Sequence, residues 1–300
     1  MDSDRSRPKV TTPQGLRKEL RYFFHEPKRW NRPGVDRLRK ALKTFRDQPW
    51  DAYIFGGLLR DVAYHGAYSA FPRDIDIVVN EESIDVIAEA FDKGEEDLNQ
   101  FGGLALNFGG WKVDVWALKE TWAFKERPQF HARQSIEDLP RTTFLNVEAV
   151  AAELTPSPGQ PRKIYEQGFF QAMRECVLDV NFELNPYPNY CVLRAFLGAF
   201  RLRFKMSPQL LHYIWGHAQG NDIGELTGRL IELQRENYGT VKLDKDWLLA
   251  SLWEIGDHLD GADNSPLLLS TVPINAPPDE PELFDSAQSR TDQQGGSPPY

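Results

Sequence analysis

The chain of 300 residues is 41% hydrophobic and 12% aromatic with a formal net charge of −9, enough apolar material for a sizeable core and, by length, for two domains. No apolar run approaches the roughly 20 residues that span a bilayer, and the polar start MDSDRSRPK has no signal-peptide core, so no membrane partner and a cytoplasmic location are expected. The two cysteines, Cys176 and Cys191, form neither a disulfide framework nor a zinc motif, in keeping with a reducing compartment.

Charge is unevenly spread. Residues 1–50 hold 14 Lys and Arg against 6 Asp and Glu, a net of +8, and the remainder carries −17. The basic start reads either as a nucleic-acid-binding arm or as a solvated helix with a loose terminus, and both readings stand. The acidic remainder argues against broad electrostatic binding of RNA. Residues 1–14 read as a disordered arm. Beyond it, Val35, Leu38, Leu42 and Phe45 fall at helical spacing and predict a helix whose apolar stripe packs on a sheet, with Arg37, Arg39, Lys40 and Lys43 off the stripe.

Residues 52–56 predict a strand that runs into Gly56 and Gly57, and residues 57–65 a helix carrying Arg60 and Asp61. Backbone amides at a helix start suit phosphate oxygens. His65 reads as a surface histidine. The next strand, RDIDIVV, bears Asp74 and Asp76 two residues apart, so both carboxylates share a face. Held that close they repel unless a cation lies between them, and hard ions such as Mg²⁺ prefer carboxylate oxygens. Arg73 either approaches substrate phosphates or pairs with a carboxylate. Residues 82–99 predict a helix. Strands at 104–108 and 111–118 follow, joined as a hairpin through Gly109 and Gly110. Asp114 lies mid-strand between Val113 and Val115. It is either a solvent-facing edge residue or a third carboxylate facing the first two, as a two-metal clamp requires. Trp111, Trp116 and Trp122 read as core rather than as a base-stacking set.

The stretch RTTFLNVEAVAAEL at 141–154 predicts the last strand of the first domain, and the Pro/Gly-rich TPSPGQPRK at 155–163 a domain boundary. Helices are predicted over 165–178, 187–204, 208–217, 223–237 and 245–258. Residues 266–300, rich in Pro, Ser, Asp, Gln and Gly, predict a disordered tail.

The order GG, RD three residues on, DID after a turn and an apolar-flanked Asp on a later strand resembles the DNA polymerase beta superfamily of nucleotidyltransferases. GGLLRD and RDIDIVV are most similar to the head domain of bacterial-type poly(A) polymerases and CCA-adding enzymes, and a weaker similarity runs to about residue 215. The resemblance implies an α+β fold: a head domain over 15–154 with a small mixed sheet flanked by helices, then an all-helical neck and body over 163–260. It implies transfer of a nucleoside monophosphate from a triphosphate to an acceptor hydroxyl, with release of pyrophosphate.

By the same resemblance, Asp74 and Asp76 hold two Mg²⁺ ions, one of them shared with Asp114. Gly56 and Gly57 cradle the β and γ phosphates, Arg60 neutralises charge and Asp61 orients it. Arg141, Phe144 and Asn146 match part of a nucleotide-contacting string whose aspartate is Thr143 here. Arg194 aligns with an arginine of the neck helix, with Cys191 where that arginine's partner stands. Arg201 and Arg203 face phosphates or RNA, or solvate a helix end. The base-selecting acidic–arginine pair has no match, because ELTGRLIELQ at 225–234 has the wrong spacing, so ATP or CTP stays open. The implied acceptor is an RNA 3′ end. The alternatives are the same chemistry on a protein, a small molecule or a tRNA attacked as a toxin target, and an inactive nucleotide-binding module.

Overall fold

The protein is described from a computed structural model, which covers residues 7–25, 35–67, 74–80, 83–94, 98–99, 102–108, 110–131, 134–261 and 264–270. Its centre is a mixed six-stranded sheet. The strands are β1 (Ala52–Phe55), β2 (Asp74–Val79), β3 (Leu104–Asn107), β4 (Lys112–Ala117), β5 (Val150–Glu153) and β6 (Ile164–Glu166), in the order β3-β4-β2-β1-β5-β6. Neighbours run antiparallel except β2 and β4, which are parallel.

Period-2 alternation decides what each face carries. Ile75, Ile77 and Val79 of β2 and Val113, Val115 and Ala117 of β4 enter the main core. Four helices supply the rest of that layer: α1 (Pro13–His25), α2 (Val35–Asp47), α3 (Gly57–His65) and α4 (Ile84–Ala90). Their apolar stripes, such as Leu16, Leu20 and Phe23 of α1 and Leu38 and Phe45 of α2, are buried there. Arg37, Lys40 and Lys43 are exposed, as the helical spacing predicts. The opposite sheet face carries Asp74, Asp76 and Val78 of β2 beside Lys112, Asp114 and Trp116 of β4. Two short helices, α5 (Trp122–Glu126) and α6 (Pro128–His131), bury Phe124 and Phe130 in a small second cluster with Val78 and Ala151. That cluster reaches Val78 but not the acidic start of β2.

After the sheet come α7 (Phe169–Glu175), β7 (Val177–Leu178), α8 (Pro188–Leu202), β8 (Lys205–Met206), α9 (Pro208–Gln219), α10 (Ile223–Tyr238) and α11 (Lys245–Asp260). The last helices start where the sequence supplies caps. Ser207 accepts from the Leu210 amide with Pro208 at the first turn, Asp222 from Glu225 and Asp244 from Trp247. Trp247 of α11 packs edge-on against Phe196 and Phe200 of α8, at ring-centroid distances of 5.7 and 6.3 Å. Among the described residues no helix is long and apolar enough to cross a membrane.

The structure departs from the sequence reading in several places. Residues 7–14 are not a disordered arm. Val10 is buried, its amide donates to the Ala63 carbonyl at 2.9 Å, and α1 already starts at Pro13; one apolar anchor in a polar stretch suffices to dock it. Residues 1–6 lie outside the described residues, as do Arg73, Gly109, residues 271–300 and the side chains of Val35 and Arg39. The helix expected over 82–99 is only Ile84–Ala90, for the acidic, Gly94-containing run after Phe91 offers no apolar continuation and Asp92 turns to φ 54°.

Most of 141–154 is not strand. Two 3₁₀ turns, Leu139–Thr142 and Asn146–Glu148, precede β5, and the Thr142 and Thr143 hydroxyls bond nearby carbonyls instead of leaving the backbone to a ladder. The stretch 155–163 does not separate domains. It turns through Gly159 (φ 78°) and returns as β6, antiparallel to β5, so the sheet-bearing unit runs to at least Glu166. The helix expected over 165–178 accordingly shortens to α7, bracketed by Gly168 (φ 73°) and Cys176 (φ 54°). The second part is helical, as expected, with one short pairing of β7 with β8 among its helices. Of the expected tail, Leu267 exchanges backbone hydrogen bonds with Met206 at 2.7 and 3.0 Å.

Candidate active site

Parallel register brings the acidic residues together. Asp76 of β2 is the direct partner of Asp114 of β4, and Asp74 is the partner of Lys112; direct partners share a face, with strands about 4.8 Å apart. The Asp114 side chain is buried. Its Oδ2 accepts from Lys112 Nζ at 3.0 Å and its Oδ1 from Asn99 Nδ2 at 3.4 Å. For Asp76, burial and the charges of Asp74 and Asp114 push the carboxyl up to about 7, against a hydrogen bond from Trp116 and the positive charge of Arg194. A carboxyl driven that far up marks a place short of positive charge. Hard oxygen donors on neighbouring strands fit a Mg²⁺ ion there. Among the described residues no three acidic, histidine or cysteine side chains converge on one point, and Asp114 instead meets Lys112.

Phe55 lies opposite Asp76, so α3 begins at the end of β2 that carries Asp74. Gly56 takes φ 65° and ψ −118°, a backbone that side-chain-bearing residues avoid. Its amide donates to the Val150 carbonyl at 3.1 Å and its carbonyl accepts from Arg60 at 3.2 Å. Gly56 therefore shapes the turn, with its own amide committed to β5. The amides that α3 itself leaves unbonded are those of its first turn, Gly57 to Leu59.

Arg60 and Asp61 form the centre of a buried charge network. Arg60 Nε donates to Asp61 Oδ1 at 2.8 Å and Nη1 to Glu148 Oε1 at 2.7 Å. Arg194 of α8 donates to the other oxygen of Glu148, and Arg201 approaches Asp61 Oδ2 at 3.5 Å. Burial works against every charge here. For Asp61 the guanidinium groups of Arg60 and Arg201 outweigh it and hold the carboxyl below its ordinary range. For Arg60 and Arg194 the neighbouring carboxylates outweigh it and raise both groups further. The network fastens α8 to the sheet unit through Glu148, a residue that sequence reasoning passed over. Its signal was a charge set directly between Val147 and the apolar Ala149-Val150-Ala151-Ala152.

The remaining candidates lie as follows. Arg141 is exposed and pairs with Asp138 at 3.3 Å. The Asn146 amide donates to the Val177 carbonyl at 3.1 Å and its oxygen accepts from the Asp179 amide at 3.0 Å, so its side chain ties a 3₁₀ turn to β7. Arg203 ends α8 at φ 54° with its guanidinium 5.3 Å from the Phe200 ring centre. His65 is partly buried with its ring edge on Tyr64 at 4.8 Å, less exposed than a surface histidine. Burial pushes the Cys191 thiol up to about 12, which leaves it inert as a nucleophile. Trp111 is core, as expected, and Trp116 covers Gly103, where a Cβ would stand 2.7 Å from the indole.

No protein-family model and no curated protein sequence matches the chain. Solved structures do. A CCA-adding enzyme with ATP aligns at a TM-score of 0.53 and 19% identity over 79% of this chain and 54% of its own. A CCA-adding enzyme in an apo form aligns at 0.52 and 17% over 74% and 52%. A tRNA nucleotidyltransferase complexed with a primer tRNA and an incoming ATP analogue aligns at 0.50 and 20% over 73% and 61%. The chain thus has the fold of these proteins, a mixed sheet followed by a helical region, and spans little more than half of their length.

Proposed function

We propose that the protein is a Mg²⁺-dependent nucleotidyltransferase that moves a nucleoside monophosphate from ATP or CTP to an acceptor hydroxyl, with an RNA 3′ end as the acceptor. The observation that carries this reading is the pairing of Asp76 with Asp114 on one face, with Asp74 and the start of α3 at the same end. The ion, when bound, supplies charge neutralisation at the phosphates and acidifies a bound hydroxyl. Asp74 and Asp76 would hold it, and Asp76, short of a counter-charge, gains most from it. The first-turn amides of α3 offer donors to phosphate oxygens. Gly56 sets their direction, and its positive φ lets β1 turn straight into the helix. Arg194 reaches the charge environment of Asp76 from α8. It is more open to a triphosphate than Arg60, which is enclosed by Asp61 and Glu148. The likeness to a structure with primer tRNA supports the RNA acceptor.

The test is a transfer assay with purified protein, Mg²⁺, each α-labelled NTP and total RNA, against Asp74→Ala/Asp76→Ala. Label entering RNA from one NTP, and lost in the double variant, is expected. Label entering the protein itself, or nucleotide binding with no transfer to any acceptor, would overturn the RNA assignment.

A further inference from the structure

We infer that Lys112 is a built-in counter-cation for Asp114, so that the site takes one divalent ion, at Asp74 and Asp76, and the Lys112 ammonium stands where a second ion would share Asp114. The inference rests on the nucleotidyltransferase reading and changes its metal content.

Three observations carry it. The Lys112 ammonium lies 3.0 Å from Asp114 Oδ2, while Asn99 donates to Oδ1 at 3.4 Å, so both oxygens of Asp114 are engaged within the protein. The pair is set by the strand itself. Lys112 and Asp114 are two residues apart on β4 and share a face, and register places Lys112 beside Asp74 and Asp114 beside Asp76. Lys112 thus sits within the acidic patch, with its side chain 54% exposed and its partner 7%. An ammonium within hydrogen-bond reach of a buried carboxylate competes directly with a cation for that oxygen.

An ammonium is also a compact point charge with three donors. With one on Asp114 it keeps others for an oxygen bound beside it, so it orients an acceptor hydroxyl without a second ion.

The experiment counts Mn²⁺ bound per chain, by electron paramagnetic resonance and calorimetry, in the native protein, Lys112→Met and Lys112→Arg, each with and without a non-hydrolysable ATP analogue. Circular dichroism confirms the fold, which a change at a half-exposed position leaves intact. The expected result is one ion in the native protein and in Lys112→Arg, and two in Lys112→Met. Two ions in the native protein overturn the inference and leave the transferase reading standing. One ion in all three proteins also overturns it, since Lys112 then keeps nothing out. No binding in any of them overturns both readings.

Discussion

The carboxyl of Asp76 makes the folded chain itself sensitive to pH. In the folded state it titrates at about 7, raised from the usual 3.8 by burial and by Asp74 and Asp114. Between about pH 4 and pH 7 the folded chain therefore holds a proton that the unfolded chain has lost. Stability falls as pH rises through that window and levels off above it. At 1.36 kcal/mol per pH unit, the full penalty is about 4 kcal/mol, and about 3 kcal/mol of it develops between pH 5 and pH 8. Asparagine keeps the shape and cannot ionise, so Asp76→Asn removes the penalty. The assay is thermal unfolding in EDTA from pH 5 to pH 8. The native protein should lose roughly 6–12 °C more than the variant across that range, at about 2–4 °C per kcal/mol. Added Mg²⁺ should recover the native protein at pH 8 and do less for the variant, for the ion binds the anion that the variant lacks. Parallel melting curves of the two proteins across pH would refute the reasoning.

Glu148→Gln leaves the buried Arg60 and the partly exposed Arg194 without their shared carboxylate and should cost about 2–4 kcal/mol in urea unfolding; a loss under about 1 kcal/mol would show that the pairs carry no such weight. Gly103→Ala sets a methyl group 2.7 Å from the Trp116 indole and should lower stability by about 1–3 kcal/mol while shifting tryptophan emission. Unchanged emission and melting would mean that the indole has room to move. Arg194→Lys should raise KM for the nucleotide several-fold with a modest loss of stability, whereas Arg60→Lys should chiefly lower the melting temperature. The reverse pattern, read by steady-state kinetics beside melting curves, would assign phosphate contact to Arg60.

What the sequence disclosed depended on whether a feature was local. Val35, Leu38, Leu42 and Phe45 mark α2 because helical periodicity is a property of neighbours, and Ser207-Pro208, Asp222 and Asp244 mark helix starts for the same reason. The carboxylate pair on β2 was legible by alternation alone. Its juxtaposition with Asp114 needed register, which hydrophobic pattern limits only to even shifts; the parallel match of Asp76 to Asp114 had to be seen. Turn residues misled at 155–163, since Pro and Gly mark a change of direction equally between domains and between paired strands. Lys112 and Glu148 acquire meaning only from partners fixed by the fold: Asp114 across one pleat, and Arg60 and Arg194 from two helices.

The buried network also redistributes roles among the arginines. The sequence resemblance gives Arg60 to the phosphates, as the first cation after the glycine pair. In the fold its side chain is 15% exposed and bonded to carboxylates on two sides, so a phosphate could reach it only by breaking both contacts in a poorly hydrated place. Arg194 is 38% exposed, holds a single carboxylate and rests its guanidinium 5.7 Å from the Tyr190 ring centre. It also comes near enough to Asp76 to pull that carboxyl down. Three arginines against Asp61 and Glu148 leave one positive charge over, beside a patch where burial and the charges of Asp74 and Asp114 hold the Asp76 carboxyl up. The excess lies on the α8 side and the deficit on the β2 side. A triphosphate bridged to an ion at Asp74 and Asp76 would span that gradient with its anionic end towards α8. Glu148 fixes where the gradient ends by tying α8 to α3 through Arg194 and Arg60.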